Sequence, residues 1–438
     1  LATSLPLITD SIVIDGTTQP GYVGVPRVEI DGTAAGADAN GLWIAKGNSE
    51  IIGLSLTGFL PGPMNIGGSA IVLAGPAGGT WVRGNYIGLH ASGAALGAPT
   101  VGWGITSGGA NLIGATGTRN IISGTSATGV LMDGTGAVVM FNRFGTTPNG
   151  LASALPGQAQ GTGVTVRGSN VLVWRNVIAN QGGVFINQNA ANATVQGNYI
   201  GTDANGTTVL ANPNSNSVGV LVDSSGHLIG GSAGVQSNVI GGYGTGVMTR
   251  FGTNVFILNN RIGLGADGVT NLPNQVWGIG LLSGGNFLHN NTITASSQAG
   301  VMPSGPTAQD NLVTTNTITQ NPGVGIGLAT TAGSRNNLVP NVFSQNGGLT
   351  IDLNFGDGPT ANDVADGDAG PNDLQNFPII TGAAASGGST IVSGVLDSTP
   401  SSTFIIHVFQ NTGVCSVSGR GEGQALLGSF AVVTNANG

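Results

Sequence analysis

The chain has 438 residues, 79 of them glycine, with 40% hydrophobic and only 7% charged side chains, 11 Lys+Arg against 19 Asp+Glu. So much apolar content supports a packed core and excludes disorder; the glycines lack collagen's three-residue period, and charge is too sparse for a coiled coil. A net charge of -8 leaves no basic footprint for nucleic acid or an anionic membrane.

The first residues, 1–14, already read as folded protein. No basic segment with a following apolar stretch opens the chain, so it is expected to begin inside a longer precursor. No apolar run reaches membrane-spanning length, so no transmembrane segment is expected. The single cysteine, Cys415, cannot close an internal disulfide and leaves the compartment open.

From residue 41 onward a tripeptide Asn-x-(Ile/Phe) recurs. It starts at Asn85, Asn120, Asn142, Asn176, Asn198, Asn238, Asn260, Asn291, Asn316 and Asn341, at intervals of 22 to 40 residues. Between these marks lie runs of glycine followed by alternating apolar residues, such as Gly129-Val-Leu-Met, Gly183-Val-Phe-Ile and Gly246-Val-Met-Thr. Short period-two runs punctuated by Gly, Asn and Ser are strand signals, and no helical stripe competes with them. A rung this small cannot bury its own apolar face, so rungs must stack. The pattern predicts a parallel β-helix with equivalent residues about 4.8 Å apart. The Ile/Phe column is then internal, and the ten Asn form a structural ladder at a turn, where Asn also tolerates a left-handed backbone.

After Asn85, Asn142, Asn198 and Asn260 comes a related extension, ending Ser92-Gly93, Asn149-Gly150, Asn205-Gly206 and Asp267-Gly268. The dipeptides predict tight turns with positive φ, so long-looped rungs alternate with shorter ones. Loops projecting from one side of a solenoid are where recognition usually sits.

Residues 5–21, from Leu5-Pro-Leu-Ile to Gln-Pro-Gly21, resemble the start of bacterial secreted or cell-surface right-handed parallel β-helix proteins, which have the pectate-lyase-like fold. So do the Gly-Asn-Tyr-Ile-Gly rungs at 84–88 and 197–201, while 351–378 is similar to the closing region of those proteins. The resemblance covers about residues 5–438 and implies a secreted or surface-attached product. It does not imply lyase activity.

Chemistry is thinly represented in the rungs. Between residues 51 and 350 the only acids are Asp133, Asp203, Asp223, Asp267 and Asp310, each isolated. A glycosidase needs two carboxylates about 5–9.5 Å apart. Stacking can unite Asp203 with Asp267 or Asp133 with Arg167, and Asp223 and His227 can share a face, with His227 expected at the surface. No catalytic and no organic cofactor-binding residue is assigned. Arg143 and Arg261 hold the same rung position, and Arg83, Arg119 and Arg175 precede a rung Asn. Such a row either covers neighbouring strands with its stems or binds acidic saccharides bidentately. Tyr86 and Tyr199 are expected to point outward, to stack on sugar rings or pack under the long loops.

The densest acidic cluster lies at 352–373, with Asp352, Asp357, Asp363, Asp366, Asp368 and Asp373. Closely spaced carboxylates among glycines suit Ca²⁺, with its six to eight oxygen ligands. Asp363, Asp366, Asp368 and Asp373 are the expected metal ligands, in a structural role. A turn-rich closure with carboxylates on backbone amides is the alternative. After Pro378 the rung Asn disappears, and strand-like runs at 379–380, 390–395, 403–409 and 425–433 predict a small antiparallel, immunoglobulin-like sandwich lacking a strand.

The expected organisation is an all-β chain: a cap with first rungs at 1–40, the parallel β-helix at 41–350, an Asp/Asn-rich closing segment at 351–378, and the β-sandwich-like region at 379–438. The expected function is an extracellular structural or adhesive protein of a bacterial surface, self-associating or binding cell-surface polysaccharide. The alternative is a polysaccharide lyase or glycoside hydrolase with a groove along the helix.

Overall fold

The computed structural model describes the chain apart from residues 63–66, 76–77, 159, 180–181, 211–215, 233 and 413–420. Cys415 and most of the turn that runs to Gly423 therefore lie outside the described residues. The described chain coils into three parallel sheets. The first has eleven strands, from Val13–Asp15 to Leu312–Thr314; the second has twelve, from Val28–Asp31 to Val342–Ser344; the third has twelve, from Leu42–Ile44 to Ile351–Asp352. Every third strand in the chain pairs with its predecessor, so each turn of the coil contributes one strand to each sheet, except the last, which adds none to the first sheet. The coil is a right-handed parallel β-helix, the hand that parallel crossovers take almost without exception.

Register explains the tripeptide. In the second sheet Leu56, Ile87, Ile122, Phe144, Ile178, Ile200, Ile240, Ile262, Ile293, Ile318 and Phe343 pair one to the next. All are buried in one continuous core. The glycines that open the third-sheet strands form a column of their own. A Cβ on Gly183 would stand 2.1 Å from the Gly219 carbonyl oxygen and 2.7 Å from the Ile200 Cγ2, so the corner where the second sheet meets the third excludes any larger residue.

The long loops follow the second sheet at alternate rungs. Each starts with a small antiparallel bridge, at Leu89–Ala95, Thr146–Ser153, Thr202–Val209 and Leu264–Asn271. Their turn glycines, Gly93, Gly150, Gly206 and Gly268, have φ of 83°, 76°, 69° and 74°, the left-handed backbone that the dipeptides predict. Successive loops stack: Ala204 N–H donates to the Gly150 carbonyl at 2.8 Å and Ala266 N–H to the Gly206 carbonyl at 2.9 Å. They form a wall along one side of the second sheet.

Beyond Pro378 parallel stacking stops. Two two-stranded antiparallel sheets follow, Ile379–Ser386 with Ser389–Val395 and Thr403–Gln410 with Ala425–Val433. Three of their strands are largely exposed, and Thr403–Gln410 is mostly half-buried.

Candidate functional site

The ten rung asparagines form a single unbroken ladder. The Nδ2 of Asn85 donates to Oδ1 of Asn120 at 3.1 Å, and the same link repeats through each following member to Asn316 and Asn341, at 3.0 Å. From Asn120 onward each Oδ1 also accepts the backbone N–H of the Asn before it, and the Asn85 Oδ1 accepts that of Leu54. The expected left-handed backbone falls one residue earlier: Gly84, Phe141, Arg175, Gly197, Asn259, Asn290 and Thr315 carry the positive φ. At those seven rungs the preceding residue makes the left-handed turn, and the Asn amide is aimed along the stack. Where the rung repeat settles to 25 residues, two more ladders run alongside, Asn286–Asn311–Asn336 and Asn321–Asn346.

His227 occupies an Asn place in that second line. Its Nδ1 accepts the Ala193 N–H at 3.0 Å, as the Asn286 Oδ1 accepts from Val255 N–H at 3.1 Å. The ring is buried rather than at the surface, and burial lowers its pKa to about 4. With Nδ1 accepting, Nε2 carries the hydrogen and donates to Ser224 Oγ at 2.8 Å. A histidine so arranged cannot take a proton from that serine. Asp223 turns instead to Arg250, whose Nε donates to Oδ1 at 2.9 Å. The pair therefore builds structure, not a catalytic dyad.

A groove of about 610 Å³ lies over the second sheet beside the loop wall. Its floor is the outward column of that sheet, in which Arg143, Val177, Tyr199, Val239 and Arg261 pair in succession. Arg119 and Arg175 reach it from the turns that precede two rung asparagines. The Arg175 guanidinium lies 5.1 Å from the Trp174 ring centre and 6.0 Å from that of Phe141, and those two rings meet edge to face at 5.2 Å. One guanidinium N–H of Arg143 donates to the Pro148 carbonyl, and one of Arg261 to the Ala266 carbonyl, so the loop wall holds both side chains the same way. Tyr199 is half-buried in the groove, whereas Tyr86, which shares the outward column through Ile121 and Arg143, is buried under the first long loop with Leu89.

No carboxylate lines this groove among the described residues. Asp203 and Asp267 sit in neighbouring loops, but each carboxylate closes its own hairpin. Asp203 Oδ1 accepts Thr207 N–H at 2.9 Å and Thr208 N–H at 3.1 Å; Asp267 Oδ2 accepts the Thr270 hydroxyl at 2.6 Å and its Oδ1 accepts the Thr270 and Val269 N–H at 3.0 Å, and these bonds, the hydroxyl's first, hold its pKa down at about 2. Asp133 and Arg167 do meet, at 3.7 Å, as a half-exposed surface pair.

In the closing segment, Asp363, Asp366 and Asp368 each bring one carboxylate oxygen within 4.8 Å of the others. Asp373 stands apart and accepts from Ser334 Oγ at 2.6 Å. Asp366 is committed on both oxygens, to Asn376 N–H at 2.8 Å and to Ser398 Oγ at 2.7 Å. The Oδ1 atoms of Asp363 and Asp368 are buried without a hydrogen-bond partner. Burial, then the charges of Asp363 and Asp366, push the Asp368 carboxyl above the usual carboxylate range.

Sheet order, register and the asparagine ladder define a right-handed parallel β-helix repeat protein of the pectate-lyase-like fold. Within the chain, residues 153–351 match the family described as "Periplasmic copper-binding protein (NosD)". That span is the regular middle and end of the coil. A solved structure, the A-module of the Azotobacter vinelandii mannuronan C-5 epimerase AlgE6, is similar at 12% identity over 81% of this chain and 87% of that chain, with a TM-score of 0.32. No curated protein matches the chain. No helix among the described residues is long and apolar enough to cross a membrane.

Proposed function

We propose that this protein is an extracytoplasmic structural and adhesive scaffold of a bacterial envelope, which holds polysaccharide along the outer face of its second sheet without converting it. The observation that supports this reading is the groove itself: cations and aromatic rings lie along successive rungs, while the nearby carboxylates are spent on loop closure. Such a surface can grip a chain and stack on its sugar rings. Among the described residues it offers no pair of carboxylates for hydrolysis. The periplasmic description of the NosD family agrees with a place outside the cytoplasm. The test incubates the protein with neutral and acidic polysaccharides. Retention on the immobilised polymer with no release of reducing ends or unsaturated sugars is expected, and catalytic release of either product would establish the lyase or hydrolase alternative.

Self-association is a second role, favoured by the C-terminal antiparallel sheets. Ile380, Phe430 and Val433 are 71%, 59% and 71% exposed there, more apolar surface than paired strands usually leave in water. Filaments or end-to-end dimers in electron micrographs are the expected result; monomers at all concentrations exclude it.

The closing segment is proposed to hold a structural Ca²⁺ at Asp363, Asp366 and Asp368. The two buried, unpartnered Oδ1 atoms support it, since a hard cation would satisfy both and offset the repulsion. Copper is a poor fit to this donor set, because that metal prefers imidazole and sulfur over carboxylate oxygen. The groups of His227 that bind metals elsewhere are both engaged in hydrogen bonds.

A further inference from the structure

We propose that the groove over the second sheet binds an acidic polysaccharide, whose carboxylate or sulfate groups are held by Arg119, Arg143, Arg175 and Arg261. The proposal rests on the reading of the protein as a polysaccharide-binding scaffold and adds the chemical class of the polymer.

The distribution of charge carries it. The chain has eight more acids than cations, so an arginine at random on its surface has acids to pair with. Arg83, Arg167, Arg250 and Arg335 do so, with Glu50, Asp133, Asp223 and Asp310. Arg119, Arg143, Arg175 and Arg261 have no acidic partner among the described residues, and these four line one groove. Arg27, also without an ion pair, is elsewhere and binds the Gly21 carbonyl at 2.9 Å. Four uncompensated guanidinium groups brought together in one hollow repel one another. Burial and the charge of Arg119 both lower the Arg143 pKa. An anion in the groove removes that penalty and gains bidentate contacts.

The spacing argues for a polymer. Arg143 and Arg261 hold the same outward position four strand steps apart, roughly 19 Å at the usual inter-strand distance. A single sugar or a phosphate ion cannot bridge them; an extended oligosaccharide can. Tyr199 stands midway in the column between them, placed to meet a ring in the middle of that span. The loop carbonyls that hold one N–H of Arg143 and one of Arg261 fix both guanidinium planes and leave their other donors available. Aromatic groups between cations suit a glycan. A nucleic acid, with its denser charge, would be repelled by the acidic remainder of the chain.

Isothermal titration calorimetry with polygalacturonate, dextran sulfate, dextran and oligothymidylate tests this on the full chain. At least one of the two acidic glycans should bind, more weakly as salt rises, with dextran and the oligonucleotide at least tenfold weaker. The R143Q/R261Q double variant should lose at least tenfold, Y199A several-fold, and R335Q, whose arginine is paired elsewhere, nothing. Arg175 is exposed and lies over the Trp174 and Phe141 rings, so R175Q serves if the double variant does not fold, with a loss of roughly threefold or more. Equal binding of dextran would overturn the acidic class while leaving the scaffold reading. Binding of no glycan would overturn both. Equal binding of oligothymidylate would overturn the glycan in favour of a general polyanion site, and unchanged affinity in the arginine variants would place the site elsewhere.

Discussion

The Glu422 carboxylate accepts the backbone N–H of Asn346 at 2.9 Å across 76 residues of chain, and also accepts that of Gln345. Asn346 ends its ladder, so no further rung supplies the amide oxygen that every earlier member receives. A sheet or ladder that stops leaves unpaired N–H groups, a template for association or fraying. Glu422 supplies the missing acceptor, and Phe343 N–H donates to the neighbouring Gly423 carbonyl at 3.1 Å. Asn372 does the same for the second ladder, accepting Asn336 N–H at 2.7 Å. The closing segment and the last hairpin thus finish the hydrogen bonding that stacking leaves incomplete.

Replacing Glu422 with Ala should therefore loosen the end of the coil before the middle. Two N–H groups lose their acceptor, a cost of about 2 kcal/mol or more. Hydrogen exchange measured by mass spectrometry should speed up at Gln345 and Asn346 and stay slow around Asn198. Equal protection in both proteins would mean that the carboxylate does not close the ladder.

Asn198→Ala should cost more, because its loss breaks the ladder in both directions. The Asn176 N–H loses its acceptor, and the Val173 carbonyl loses the Nδ2 donor it meets at 2.9 Å. Two buried groups left unsatisfied imply about 3 kcal/mol in urea unfolding. Asn198→Asp should be worse, since a buried carboxylate would face the Asn238 Oδ1.

His227 makes the coil sensitive to mild acid. Its folded pKa of about 4 lies below the ordinary value near 6.5. Between those values the unfolded chain binds a proton that the folded chain does not, so stability is complete above about pH 6.5 and declines toward pH 4. The decline from this one group is on the order of 3 kcal/mol. His227→Asn retains an acceptor for the Ala193 N–H and has no such titration. Melting temperatures from pH 7 to 4 should fall less steeply in that variant; parallel curves would show that the imidazole is not responsible.

Calcium should raise the melting temperature of the wild type and EDTA should lower it. At a hundredfold excess over its Kd the ion would add about 2.7 kcal/mol. Asp363→Asn combined with Asp368→Asn removes the repulsion and the site together, so that variant should respond to neither reagent. A calorimetric titration of the wild type without heat, and a melting curve indifferent to EDTA, would exclude the ion.

The repeated Asn-x-Ile, the glycine-led apolar runs and the Asn-Gly or Asp-Gly turns determined by themselves the coil, its inward column, its ladder and the alternation of long loops. These features are legible because stacking gives each rung position the same neighbours, so one physical demand recurs in the chain as one residue type. What happens between rungs is not periodic in that way. Sequence spacing could not say that Asp373 turns away from Asp363 while Asp368 joins it, that His227 replaces an asparagine inside the wall, or that Glu422 caps a ladder 76 residues upstream. It marked Arg143 and Arg261 as equivalent, but only the folded stack brings Arg119 and Arg175 into their groove and leaves the acids occupied elsewhere. Charge pairing depends on which loops close on which carboxylates, and that is decided by three-dimensional packing, where residues far apart in the chain compete for the same partner.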